Sequence, residues 1–380
     1  MTESWLTALI ARVKGKPDPK RVAEAIEQNK LSALKMLFFL GADLDAPCNA
    51  SEEPPLHLTI RKKNLPVLTW LSKKGANLER RHPKTGETAL HAAAKQGHPA
   101  VIRILLDAGA NVFSRDPQGC LAIHHAVQSG NVDAVNLLLE KKSPIQDQDN
   151  ESRDTLLHLA VKKGDLNLID FLLGKGADIN ASSLEGTAFH WAACFGDTDV
   201  AKHLLQKNAD INIAGKGGSP LYLVACFGRE LVLEQILNSA EGIQHLESLD
   251  PVTSETPLHG AAKNGSLRIL TILLEKGANL QAATPTGETA LHLAASHGHK
   301  RLVELLLSRH ARVNPKNHAG ETPLLLAVKR NFKECVESLL AQGADASLAD
   351  SEGHGPLYFS KMNRYVKITE LLEKGVPQNV

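Results

Sequence analysis

Aromatic residues are scarce in this chain, at 4% of 380 residues. A globular enzyme core usually relies on large aromatic volumes, so this interior is filled in another way. An excess of charge of one sign is also missing. Lys and Arg total 43 against 42 Asp and Glu, a formal net charge of +1. That balance removes the simplest electrostatic basis for non-specific nucleic-acid or membrane binding. No apolar run approaches the roughly 18 residues needed to span a bilayer. Cysteine is thin and scattered, at positions 48, 120, 194, 226 and 335, with no CxxC pair. A secreted disulfide scaffold is denser, so a reducing compartment, the cytoplasm, is expected. The first apolar residues, Trp5, Leu6, Leu9, Ile10 and Val13, recur at helical spacing, and the basic residues follow them. A secretory signal has the opposite order. An amphipathic helix over 3–13, packed on the body of the protein, is expected instead.

What is present is a repeat. The length alone would suggest two or three domains, and 43% hydrophobic residues exclude whole-chain disorder. One phrase, however, recurs along nearly the whole chain. It reads PPLHLTI at 54–60, TALHAAA at 88–94, LAIHHAV at 121–127, TLLHLAV at 155–161 and TAFHWAA at 187–193. It continues as SPLYLVA at 219–225, TPLHGAA at 256–262, TALHLAA at 289–295, TPLLLAV at 322–328 and GPLYFSK at 355–361. A second phrase of the type G-A-D/N follows in phase, as at 75–77, 109–111, 176–178, 277–279 and 343–345. Thr or Ser before Pro in the phrase is a helix start, because the hydroxyl satisfies free backbone N–H groups and Pro is pre-set for the first turn. Small residues such as Ala93 and Ala94 form a thin buried stripe that lets neighbouring helix pairs approach closely. This accounts for the shortage of aromatics. No single copy can bury its own faces, so stability comes from stacking on neighbours.

These phrases resemble the ankyrin repeat over roughly residues 20–375. The resemblance implies an all-α ankyrin-repeat solenoid of helix-turn-helix pairs joined by β-hairpin loops, with about eleven units including caps. Residues 1–46 are expected to form an N-terminal capping helix and capping repeat. Residues 47–354 carry the repeats, and 355–380 a C-terminal capping repeat and tail. Lys361, Arg364, Lys367, Glu370, Glu373 and Lys374 mark a solvated outer face for that cap. The step from Tyr222 to His259 is 37 residues rather than about 33, so an irregular loop is expected over 238–255.

Enzyme signatures are lacking: no GxSxG, Walker-type loop, HExxH or dinucleotide fingerprint occurs. Seven of the 17 histidines are the repeat histidine, which in the family makes structural hydrogen bonds. No catalytic residue, metal site or cofactor is expected. The resemblance does imply a binding face, lined by positions four and five after the repeat histidine. Here these include Arg61, Lys62, Lys95, Lys162, Lys163, Lys263, Lys329 and Arg330, with no Asp or Glu among the twenty positions. A basic groove is the expectation, with acidic residues elsewhere. At its centre Trp191, Phe195, Tyr222 and Phe227 fall within 37 residues; exposed, they would form a hot spot, and the alternative is internal packing that widens the small-residue stripe. The expected function is a non-catalytic, monomeric protein–protein interaction scaffold. Its partner would be an acidic protein or peptide with an apolar anchor. Neither a membrane nor nucleic acid is expected as the partner. The alternative is an effector exported by a pathogen, which would capture a host protein in the host cytosol.

Overall fold

The computed structural model describes residues 17–238 and 240–375. The helix expected over 3–13 lies outside the described residues. The chain divides into two compact units, one ending at Ser183 and the other beginning at Leu184. Among the described residues the first holds five helix pairs, from Pro19–Glu27 with Leu31–Phe39 to Leu156–Lys163 with Leu166–Gly174. The second holds six, from Ala188–Phe195 with Thr198–Gln206 to Pro356–Met362 with Val366–Gly375. Eleven pairs is the number that the phrases implied. Among the described residues the only β pairing is isolated bridges in the hairpins, such as Arg115 with Leu121.

Each copy is built by the same local physics. The repeat histidine reaches back to the residue that starts its helix. In Ala89–Lys95, the Thr88 N–H donates to His91 Nδ1 at 3.2 Å, and the Thr88 hydroxyl lies 2.7 Å from the same nitrogen. The other ring nitrogen reaches forward: His91 Nε2 donates to the Cys120 carbonyl at 3.1 Å. His57, His190, His259 and His292 make the same forward bond to the next hairpin, at 2.9, 3.2, 3.0 and 3.1 Å. With Nε2 donating and Nδ1 accepting, the ring is neutral and its tautomer fixed. Burial holds His57, His91, His124, His259 and His292 below the ordinary histidine pKa.

Hairpins are tied across copies by a second ladder. Asp45, Glu79 and Gln146 accept from the backbone N–H of Asn77, Asn111 and Asp178 in the first unit. Glu247 and Asn314 do so for Asn279 and Asp345 in the second. The core is Leu, Val, Ile and Ala, with Phe189 its largest fully buried side chain.

The long step is not an irregular loop throughout. Ala240–Gln244 forms an extra helical turn packed on Glu230–Leu237. The turn depends on Gly242, because a Cβ there would lie 2.0 Å from the Ile236 carbonyl oxygen. Glu247 then resumes the ladder. Asp250 N–H donates to the Glu255 carbonyl at 2.9 Å, closing an ordinary hairpin tip. In the last pair, all six residues named for its outer face are exposed, and Lys361 pairs with Glu373 at 2.9 Å.

Candidate binding surface

The expected hot-spot residues separate into two groups. On the helix Ala188–Phe195, Trp191 and Phe195 are four apart and stack face to face, with centroids 4.4 Å apart and planes 10° from parallel. Phe227 holds the position of Phe195 in the next copy. Phe195 is 65% exposed and Phe227 54%. These rings, with Cys194, Leu223 and Glu185, line a cleft of about 370 Å³. That is near the small end of ligand-cleft sizes.

Tyr222 does not belong to this surface, which corrects the expected four-residue cluster. It occupies the repeat-histidine position and is 5% exposed. Its hydroxyl donates to Glu255 Oε2, and burial together with that bond pushes its pKa up. The extra ring volume is taken from the neighbouring helix Pro257–Asn264, where Gly260 replaces the larger residue usual after the repeat histidine. A Cβ at 260 would lie 2.8 Å from Cys226 Sγ and 3.0 Å from the Tyr222 ring.

The basic positions also differ from expectation. Five carry an intramolecular carboxylate partner eight residues upstream, at the base of the preceding hairpin. Arg61 pairs with Glu53 at 2.8 Å, Lys95 with Glu87 at 2.9 Å, Lys263 with Glu255 at 3.4 Å, and Lys329 with Glu321 at 2.7 Å. Lys162 pairs with Asp154. Lys329 also reaches Asp350 at 3.2 Å. Lys62 lies 3.5 Å from Glu27, Lys163 donates to the Gln128 carbonyl at 3.1 Å, and Arg330 stands exposed. The carboxylates are the more buried partners. Burial pushes the pKa of Glu53, Glu87 and Glu321 up, but hydrogen bonds from Arg61, Lys95 and Lys329 outweigh it, so each lies below its ordinary value. The surface is therefore one of ordered ion pairs. It is not an unbalanced basic strip.

Reactive groups are held quiet. Burial raises the Cys48 and Cys120 thiols to about 12, and the Cys226 and Cys335 thiols to about 11. At neutral pH they are not thiolates. Among the described residues, no three His, Cys, Asp or Glu side chains are grouped to hold a metal ion. Nor is any described helix long and apolar enough to cross a membrane.

Comparison with known proteins agrees with the geometry. The family model for ankyrin repeats (3 copies) matches residues 22–116, 108–183, 157–248, 221–317 and 310–380. Among solved structures, the chain is similar to the ankyrin repeat domain of Bcl-3, described as a unique member of the IkappaB protein family. It shares 29% identity, the match covers 53% of this chain and 92% of that one, and the TM-score is 0.49. Comparison with curated proteins found no match. With the repeat phrases, the histidine ladder and the family model covering residues 22–380, the chain belongs to the ankyrin-repeat family.

Proposed function

We propose that the protein is a non-catalytic binding scaffold of the cytoplasm, and that its second unit grips a partner protein by an apolar anchor. The aromatic cleft carries this reading. Two phenyl rings more than half exposed, beside a half-buried indole, are costly to leave in water unless something covers them. Ion pairing limits what charge contributes. A partner with acidic flanks would meet Arg61, Lys95, Lys162, Lys263 and Lys329 only by displacing carboxylates already hydrogen-bonded to them. The anchor therefore supplies the affinity, and acidic flanks add orientation.

Peptides selected from a random library against the full chain test this. Ligands should carry one large apolar residue. The double substitution Phe195→Ala with Phe227→Ala should weaken them by about a hundredfold or more, the loss of two hot-spot side chains. The melting temperature should stay near that of the unaltered protein, because both rings are on the surface. Ligands that bind the double variant within about threefold of the unaltered chain would sink the proposal.

A further inference from the structure

The first helix pair of the first unit leaves an apolar face uncovered. In the pairs that follow it, the second helix buries its third, fourth and seventh residues. These are Val67, Leu68 and Leu71 in Leu65–Lys73, and Val101, Ile102 and Leu105 in Pro99–Asp107, each at most 2% exposed. In Leu31–Phe39 only the fourth residue, Leu34, is buried. The third and seventh, Ala33 and Leu37, are half-buried, and Met36 is exposed.

The last helix of the second unit shows which side these positions face. In Val366–Gly375 the third and seventh residues, Ile368 and Leu372, are buried, and the fourth, Thr369, is half-buried. The first and last of these helices thus lose opposite positions. The third and seventh residues pack on the copy before, and the fourth on the copy after. Phe38 agrees, since it meets Trp70 of the next copy edge-on at 5.6 Å. With no described copy before it, Leu31–Phe39 and its cap residue Leu40 present Ala33, Met36, Leu37 and Leu40 as an apolar stripe at i, i+3, i+4 and i+7 spacing. The first helix of the pair, Pro19–Glu27, needs no such cover, because Arg21, Glu24 and Glu27 make its exposed side polar.

The two ends of the repeat series meet water differently. The last pair exposes six charged residues on its outer face, as a terminal copy requires. Leu31–Phe39 carries one, Lys35, and leaving its stripe in water is unfavourable. We infer that residues 3–13 dock on this stripe as a helix, in the place a preceding copy's second helix would fill. Trp5, Leu6, Leu9, Ile10 and Val13 recur at helical spacing, so one apolar stripe closes on another. The lengths agree. A helix over 3–13 would span about 16 Å, against about 13 Å for Leu31–Phe39. The connection over 14–17 reaches about 13 Å, enough to bridge the roughly 8–10 Å between packed helices. Asp18, which accepts from the Lys20 N–H at 2.9 Å and caps Pro19–Glu27, fixes where that connection ends. The site is separate from the aromatic cleft and independent of what that cleft binds.

Hydrogen exchange of the full chain, read by mass spectrometry on peptides over 3–13 and 31–39, tests this. Both stretches should exchange at least about tenfold more slowly than the same sequences as free peptides. Ile10→Asp should remove the protection over 3–13 and lower that over 31–39 about tenfold. Leu37→Asp should free 3–13 from the other side. Protection over 290–308, in the second unit, should not change in either variant, which separates undocking from unfolding. Ala11→Gln, on the opposite side of such a helix, should leave both stretches as they are. Free exchange over 3–13 in the unaltered chain, or protection over 31–39 that survives Ile10→Asp, would overturn the assignment. So would protection over 3–13 that appears only with anionic phospholipid vesicles, or that grows with protein concentration, because the occupant would then be a membrane or a second copy.

Discussion

Lowering the pH below about 6.5 should destabilise this protein before its carboxylates titrate. The cause is the histidine ladder. Folded His57, His91, His124, His259 and His292 are buried, and burial lowers their pKa. Protonating Nδ1 of His91, His259 or His292 would also set an N–H against the threonine N–H that now donates to it. In the unfolded chain the same rings take up protons near pH 6.5. Between that value and the lower folded value the unfolded chain binds more protons, so stability falls as pH falls. Above about 6.5 the contribution is fully present. Each ring contributes at most about 1.4 kcal/mol per pH unit, so five together approach about 7 kcal/mol per unit. Domain stabilities are about 5–15 kcal/mol, so the loss is measurable, and it ends where the rings themselves titrate in the folded protein. Glu53, Glu87, Glu321 and Asp116, held below their ordinary values, extend the loss in the same direction below about pH 4.5.

Urea midpoints followed by circular dichroism at half-unit steps from pH 7.5 to 4.5 measure this directly. A midpoint that stays flat from pH 7 to 5.5 would show that the ladder is not coupled to protons. His259→Leu supplies the control, since Leu325 occupies the same place in another copy and is fully buried. The variant should be less stable at pH 7, because the Thr256 N–H and the Ala282 carbonyl lose their shared ring. Its stability should also fall less steeply on acidification, by about one proton.

The ladder was legible in the sequence because seven of the ten repeat phrases carry its histidine. The helix pairs, the buried small-residue stripe and the exposed final cap follow from that register. The ion pairs were legible as well, but only through a comparison of two positions. Glu53, Glu87, Asp154, Glu255 and Glu321 each stand eight residues before a basic groove residue, and that spacing closes one hairpin-to-helix turn. Counting charge only at the groove positions hides the pairing. Tyr222 was harder. Its exposure depends on Gly260, 38 residues later, and nothing in the local phrase shows that the neighbouring helix makes room. That His125 Nδ1 and Asp154 Oδ1 are buried without a hydrogen-bond partner could not be read from sequence, because it is defined by which partners other side chains have already taken.

Replacing Gly260 by alanine should destabilise the second unit, although alanine is the better helix former. Helix propensity favours the change by about 1 kcal/mol, since Gly260 lies inside the helix Pro257–Asn264. Packing opposes it. The new Cβ would sit 2.8 Å from Cys226 Sγ and 3.0 Å from a Tyr222 ring carbon, and the ring is held in place by its bond to Glu255. Overpacking of this kind costs about 1–3 kcal/mol, enough to cancel the propensity gain and usually to exceed it. Gly260→Leu would restore the residue found after the repeat histidine at Leu58, Leu159 and Leu293, and should cost more. The argument is sharpest as a cycle. Tyr222→His puts back the usual smaller ring and removes the ring contact while leaving the one to Cys226 Sγ, so alanine at 260 should cost less in that background. A coupling energy of about 1 kcal/mol or more between the two sites is expected, as for side chains in direct contact. Additive melting shifts, or a Gly260→Ala variant more stable than the unaltered chain, would mean that the glycine does not serve the tyrosine. The exchange of a histidine for a buried tyrosine would then need another cause.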